Sequence, residues 1–515
     1  MTPSSSDHGL ESTEYSDKEK ASDLQVATLE ETSPKPETAW EGRLRWVVDR
    51  LKGLGVEVHG IEPIPPEQRT DRRMYQMFFV WFSANINILT FSTGTVGPAF
   101  FSFGMRTTFI LVTIVDAICC LFPAIFATFG PKLGARSMVQ TRYSWGYYGA
   151  MIPSILNVIS MQCYLIINTM IGGLTFSSVS DRLPPSAGIV IIAAISFVIA
   201  FSGYRVLHWY GQLAWIPNVI GFIIMLGLGG RKLIAAPLSD PVPVTAAAVI
   251  SFAAAHSASL LGYSPMTPDY GIYHDAKVSS VRVFIYTYLG FLAGCYPAHL
   301  IGASFAAATV SVPAWREGLG NGNDVGGLIA AILSPTHGFG KFMVVLLALT
   351  TPSACAPTLY TACTSFMAIT ATFAKIPRFL LSIVSLAILI PVAIFGATHF
   401  YATFVEILNF IGYWLAPFLA IVLTEHVLFR RCRWSAYNIE LAWNQPKLLP
   451  KGYAAVTTFI LTLGVIAVSM SQTWYMSPIA RAGAGNVGIM LGFGSAVLMY
   501  AILRSLEKRI WKNEV

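Results

Sequence analysis

Charge is scarce in this sequence. Asp, Glu, Lys and Arg make up 12% of the 515 residues, about half the share usual in soluble domains, and that shortfall argues against a soluble globular chain. The short alternating apolar and polar segments of a transmembrane β-barrel are missing too. The seven cysteines have neither metal-ligand spacing nor the pattern of a secreted disulfide framework. No HExxH, GxSxG, GxxxxGKS or GxxxxGKT occurs, and no pair of carboxylates stands at catalytic spacing. GLGGRK at 227–232 is too short for a phosphate loop. The chain thus reads as no enzyme, with no metal and no cofactor. Its net charge of +7 follows membrane topology, so nucleic acid is not an expected partner.

What the chain has instead is apolar length. Hydrophobic residues make up 54% of it and the mean hydropathy is +0.58. Apolar runs of about 20 residues, the length a helix needs to cross the hydrocarbon core, recur along it. The reading is an all-α polytopic membrane protein of twelve transmembrane helices, starting near residues 76, 108, 150, 186, 211, 244, 283, 341, 378, 402, 453 and 483. Residues 1–38 are polar, rich in Ser, Glu and Lys, and have no apolar signal-peptide core, which predicts a disordered cytosolic tail. In 39–74, Trp40, Leu44, Val47 and Leu51 recur at helical spacing with arginines between them, which predicts a cytosolic amphipathic segment. The membrane domain then covers 75–505, and 506–515 forms a second cytosolic tail. Basic residues such as Lys132, Arg136, Arg142, Arg205, Arg430, Arg431 and Arg433 gather in loops on the amino-terminal side of the membrane and are sparser opposite, which places both termini in the cytosol.

The first span poses a question. WFSANINILTFSTGTVGPAFF, Trp81 to Phe101, is apolar enough for a bilayer, yet Ser92, Thr93, Gly94, Thr95, Gly97 and Pro98 weaken it as a helix. Unwound backbone inside a bilayer is tolerated only where it is buried in protein or lines a cavity. Transporters use such breaks in pairs, one per inverted repeat, to present backbone groups to substrate and ions. A second break is expected in the sixth span, SFAAAHSASLLGYSPMTPDY, at Gly262, Ser264, Pro265 and Pro268. The eighth span, which corresponds to the third, carries two prolines in LTTPSACAPT, Leu349 to Thr358. The pattern predicts a five-plus-five inverted repeat with two peripheral helices.

The same stretches carry a family resemblance. GIEPIPPEQRTDRRMYQMFFVWFSANINILTFSTGTVGPAFF resembles the first span of fungal purine–cytosine permeases, of the nucleobase:cation symporter-1 family, together with its approach. MVQTRYSWGYYGAMIPSILNVIS, GYRVLHWYGQLAWIP, SPMTPDYGIYH, IGYWLAPFLAIVLTEHVLFRR and YNIELAWNQPKLLPKGYAA resemble further parts, over roughly residues 60–505. The resemblance implies a leucine-transporter-like fold, alternating access, and proton-driven import of a nucleobase or related small N-heterocycle, with the plasma membrane as the family's location. Position by position it implies Ser92 and Thr93 at the first break, Tyr164 and Tyr263 as stacking aromatics, and Asn168 as a substrate-binding amide. The chemistry agrees with those roles. A planar base suits aromatic faces, an amide offers both donor and acceptor to a ring edge, and an intramembrane Asn faces a bundle interior or a cavity.

Two departures stand out. Where the family has an Asn-Asn-x-Pro-Asn run on the eighth span, this chain has Ala354, Cys355, Ala356, Pro357 and Thr358. Ser353, Ala354, Pro357 and Thr358 are the substrate-facing positions expected there. Relatives also carry a Glu after the tyrosine of the fifth span, where Tyr210 here precedes Gly211 and Gln212. A site that loses hydrogen-bonding groups loses the discrimination they supplied, so the alternative substrates are another purine or pyrimidine with fewer polar edges or, as the resemblance implies from some relatives, a vitamin B6-type pyridine. A substrate sensor that does not transport is the alternative function.

Ionisable groups inside spans are functional candidates. They are Asp116, His256, His299, Glu406 and Glu425. Glu406, one turn before Asn409, stands first as a coupling or gating residue, with His256 and Asp116 beside it. Thr350 and Thr351 would suit sodium in place of the proton. Glu425 with His426, near the cytosolic end of its span, reads as a gate or topology feature.

Overall fold

A computed structural model describes residues 61–201, 210, 213–320, 323–370, 372–373, 376 and 378–511. The expected tail 1–38, residues 39–60 of the expected amphipathic segment 39–74, Arg205, Gly211 and Gln212 lie outside the described residues. Within them the chain is helical, and β structure is limited to two isolated bridges, Asp71 with His274 and Ser471 with Met476.

Eight helices are long and apolar enough to cross a membrane: Met105–Leu133, Met151–Ser177, Trp215–Ala235, Ser280–Ala308, Gly338–Ile369, Leu380–Ala397, Phe400–Phe429 and Gly488–Ile510. They fall on the second, third, fifth, seventh, eighth, ninth, tenth and twelfth expected spans. The first, fourth, sixth and eleventh fall on the shorter apolar helices Ile88–Phe101, Pro185–Ile199, Ala246–Leu261 and Tyr453–Ala467. The elements needed below are α1 (Tyr75–Asn85), α2 (Ile88–Phe101), α3 (Met105–Leu133), α4 (Met151–Ser177), α5 (Ala246–Leu261), α6 (Ser280–Ala308), α7 (Gly338–Ile369), α8 (Phe400–Thr424) and α9 (Gly488–Ile510). The apolar window of Phe400–Phe429 is 78% buried inside the protein and that of α9 28%, so α8 runs through the bundle and α9 along its rim.

The first span is broken, though not where its hydroxyl-rich half lies. α1 ends at Asn85, Ile86 and Asn87 leave the helical region, and α2 begins at Ile88. Two amides brace the junction. Asn85 Nδ2 donates to Trp81 O at 2.8 Å and Asn87 Nδ2 to Ala84 O at 2.6 Å, while Asn87 Oδ1 accepts from Thr90 N at 2.9 Å as the cap of α2. Ser92 and Thr93, expected at the break, are helical. Their hydroxyls donate back to Ile88 O and Leu89 O at 2.7 and 3.0 Å, which satisfies them within the helix. Pro98 sits in the last turn of α2, which ends at Phe101 with Ser102 left-handed.

α6 holds both halves of this span. A Cβ at Gly290 would come 2.5 Å from Phe78 O, one at Gly294 2.8 Å from Phe82 O, and one at Gly302 2.0 Å from Phe91 O. The stripe lets the backbones of α1 and α2 lie directly on α6, the small-residue packing that membrane helices favour.

The sixth span breaks where expected. α5 is capped by Thr245, whose hydroxyl accepts from Ala248 N at 3.2 Å, and it ends at Leu261. Gly262 to Met266 form turns, and Thr267–Tyr270 is a short 3-10 helix. The eighth span is continuous instead: α7 runs 32 residues through Pro352 and Pro357.

At the far end of the tenth span, Glu425 is buried against Arg504 and Arg430, at 3.1 and 3.2 Å, and accepts from the Tyr500 hydroxyl at 3.0 Å. Arg504 also meets Glu507 at 2.8 Å. This cluster ties α9 to the end of the tenth span.

Candidate binding cavity between two broken spans

The two breaks face each other across a buried cavity. Its walls are Asn85, Leu89, Thr90 and Thr93 from the first span, Tyr164 and Ile167 from α4, Ser259, Leu260 and Tyr263 at the end of the sixth, Cys295 and His299 from α6, and Phe404 and Leu408 from α8. It measures about 20 Å³ for the centres of water-sized molecules, where one water needs roughly 10–15 Å³. A planar ring enters only when the walls part.

Tyr164 of α4 and Tyr263 in the break that follows α5 lie side by side, with ring centroids 6.3 Å apart and planes tilted by 35°. A flat ring between two faces needs about 7 Å, two contact layers of roughly 3.5 Å each, so a small opening of the pair admits one. The Tyr164 hydroxyl shares its hydrogen between Ala258 O, which also accepts from Gly262 N, and Ser259 O in the last turn of the helix, both at 3.2 Å. Tyr263 is steadied by Trp81 and Phe291, which stack on each other with centroids 4.8 Å apart and both present edges to it. The wall hydroxyls have a defined polarity. Thr93 donates to Leu89 O, Ser259 to His256 O, and Thr90 to Asn87 Oδ1. Their hydrogens are committed, so what they offer a ligand is oxygen lone pairs, suited to ring N–H and amino groups.

One wall opens onto a buried acid. Asp116 of α3 is fully buried, and His256 and His299 are 2% and 1% exposed. Its Oδ1 lies 2.8 Å from His256 Nε2 and its Oδ2 2.8 Å from His299 Nδ1. His299 lines the cavity; Asp116 and His256 stand behind it.

Residues 63–484 match the family model described as permease for cytosine/purines, uracil, thiamine, allantoin. The chain belongs to this family. It is 31% identical over 476 residues to the purine-cytosine permease FCY21 of Saccharomyces cerevisiae, covering 91% of this chain and 89% of that one. It is 31% identical over 459 residues to the purine-cytosine permease fcyB of Emericella nidulans, covering 88% and 89%. Among solved structures it is similar to Mhp1, a nucleobase-cation-symport-1 family transporter, in a closed conformation with bromovinylhydantoin bound: the TM-score is 0.63 at 16% identity, over 88% of this chain and 97% of that one. The protein is a polytopic membrane permease with that fold.

The permease's expected site residues divide accordingly. Thr93, Tyr164 and Tyr263 meet in the cavity. Asn168 lies one turn beyond Tyr164, its Nδ2 bonded to Tyr164 O at 2.9 Å and its Oδ1 buried without a partner among the described residues. Ser92 is fully buried within the packing of α2 and does not line the cavity. Ser353, Ala354, Pro357 and Thr358 do not line it either: α7 is continuous there, and Ser353 donates to Thr350 O and Thr358 to Ala354 O. Thr350 bonds Leu347 O and Asn218 Oδ1, and Thr351 bonds Ala348 O and lies against Gly172. Glu406 sits two residues from both Phe404 and Leu408, so a helix turns its side chain away from the cavity they line. Sequence reasoning missed Asn85, Thr90, Ser259 and Cys295. The Asn-x-Asn at 85–87 was a signal in plain view, since capping residues just before an apolar run mark a helix start.

Proposed function

We propose that this permease imports a nucleobase or a closely related N-heterocycle, bound between Tyr164 and Tyr263, by alternating access and in symport with protons. The observation that carries the reading is the cavity itself. It lies between two facing helix breaks, the place where transporters of this architecture hold substrate. Its two aromatic walls suit a flat ring, and its hydroxyl oxygens suit N–H groups along the ring edge. The purine–cytosine permeases similar to this chain support a base as the substrate. The narrowness of the cavity fits a conformation closed between loading and release. We place the protein in the plasma membrane with both termini cytosolic, in keeping with the basic residues of its loops.

The test is uptake of labelled cytosine, adenine and hypoxanthine by cells lacking their own base transporters, with and without this protein, at pH 5 and 7. Saturable uptake of at least one base, faster at pH 5, is expected. Uptake of pyridoxine but of none of the bases, with the protein at the cell surface, would move the substrate to pyridines. Binding of a base without flux would make the protein a sensor.

A further inference from the structure

We propose that Asp116, His256 and His299 form the site that carries the coupling proton. This deepens the reading of the chain as a proton-coupled base permease and rests on it.

The argument starts from charge balance. Asp116 is fully buried, and its ion-pair partners among the described residues are the two histidines. No lysine or arginine is paired with it there. An ionised Asp116 between two neutral imidazoles leaves one uncompensated negative charge in the protein interior, which is costly. One added proton brings the cluster to zero. Imidazole is the side chain whose ordinary titration falls between pH 5 and 8. The other titratable groups facing the cluster carry no positive charge: the thiols of Cys119 and Cys120 on α3, Cys295 on α6 with its Sγ 3.9 Å from Asp116 Oδ2, and the phenols of Tyr288 and Tyr263 beside Cys295.

The geometry assigns the proton's place. An ionised Asp116 accepts from His256 Nε2 and His299 Nδ1. The nitrogens left with lone pairs are His256 Nδ1, which is buried without a partner among the described residues, and His299 Nε2, on the residue that lines the cavity. A proton arriving through the cavity bonds to that lone pair, the cluster goes from −1 to 0, and the proton leaves from the same atom when the cavity opens to the cytosol. No other co-reactant is needed.

The cluster also touches both breaks. Ser259 donates to His256 O, and Tyr164 closes on Ser259 O, so His256 is two hydrogen bonds from the aromatic wall. On the other side a Cβ at Gly94 would come 2.0 Å from His299 O, so α2 rests directly on the His299 backbone. A change in charge on the imidazoles is felt by the two elements that gate the cavity, which is what linkage between proton and substrate requires.

The full chain reconstituted in proteoliposomes tests this with labelled cytosine under an inward gradient of two pH units, an inward sodium gradient, or neither. One proton per base permits about 100-fold accumulation across two units, tenfold per unit. Wild type should accumulate cytosine with the pH gradient. Asp116→Asn and His256→Gln, neither of which lines the cavity, should fall to the equilibrium level while cytosine exchange across the membrane persists and loses its pH dependence. Either variant accumulating like wild type with an unchanged pH profile overturns the proposal. Loss of exchange together with accumulation in both variants marks a structural role and also overturns it. So does wild-type accumulation driven by sodium alone. A wild type that moves no cytosine under any gradient overturns the base reading itself, and the assignment falls with it.

Discussion

Tyr164 closes over Gly262. A Cβ at Gly262 would stand 1.9 Å from the Tyr164 hydroxyl oxygen, which bonds Ala258 O and Ser259 O at 3.2 Å each. The bare glycine is what lets an aromatic from α4 reach the carbonyls in the last turn of α5, so the break and the cavity wall are made by the same contact. Gly262→Ala is expected to push the ring away and cut base uptake at least tenfold at matched surface expression. Tyr164→Phe keeps the ring but loses the one hydroxyl hydrogen shared by the two carbonyls, worth about 0.5–1.5 kcal/mol, and should lower thermal stability more than it lowers affinity. Wild-type uptake by Gly262→Ala would contradict this.

Asn87 both ends α1 and starts α2. Asn87→Ala removes a cap acceptor and leaves Ala84 O without its partner, for a cost of about 1–2 kcal/mol. Asn87→Ser keeps an acceptor at the cap and should recover part of the loss. Unfolding of the purified protein on heating measures both, and equal stability of Asn87→Ala and wild type would refute the capping role.

Ser92 and Thr93 are neighbours with opposite expectations. Ser92 is fully buried and bonded within α2, while Thr93 lines the cavity. Ser92→Ala should leave the apparent affinity for cytosine within twofold of wild type. Thr93→Val, which keeps the shape and removes the acceptor, should weaken it about tenfold, the value of roughly one hydrogen bond. The reverse order would return the substrate to the hydroxyl-rich half of the first span.

That pair also shows how far the sequence could be read. The number of broken spans and the position of the sixth-span break were legible, because Gly262 and the prolines after it interrupt an apolar run with no alternative use. The first break was misplaced because Ser, Thr and Gly inside a membrane helix have two uses, unwinding and packing. Which one holds depends on neighbours that a linear reading lacks: Ile88 O and Leu89 O for the hydroxyls, the His299 backbone for Gly94. The eighth span's two prolines lie inside a continuous helix, α7. Asp116, His256 and His299 were each visible as buried ionisable groups. Their meeting was not, because they lie 140 and 183 positions apart in the chain.

Outside the membrane spans, His274 pairs with Asp71 in an isolated bridge just before α1. Burial pushes His274 below its ordinary value of 6.5, and the hydrogen bond from Arg73 holds Asp71 below its own. A folded-state value that is lowered means the neutral imidazole is favoured by folding. Its contribution is present above about pH 6.5 and is lost as pH falls from there through the lower folded value. Melting temperatures at pH 7.5 and 5 should show a larger acid loss for wild type than for His274→Gln. An equal loss would remove His274 from the account.

The Glu425 cluster is expected to be structural. Glu425→Gln leaves Arg430 without its buried carboxylate and Arg504 with Glu507 alone, and should cost about 3–5 kcal/mol, read by denaturation of the purified protein. A cost below about 1 kcal/mol would show that the arginines find water instead.

The measurement that tests the account most directly is equilibrium binding of labelled cytosine to the purified protein, comparing wild type with Tyr263→Ala and Glu406→Gln. If the base sits between the two breaks, wild type binds, Tyr263→Ala binds at least tenfold more weakly, and Glu406→Gln binds like wild type. Unchanged binding by Tyr263→Ala, with loss of binding by Glu406→Gln, would contradict the account and put the site on the other face of α8.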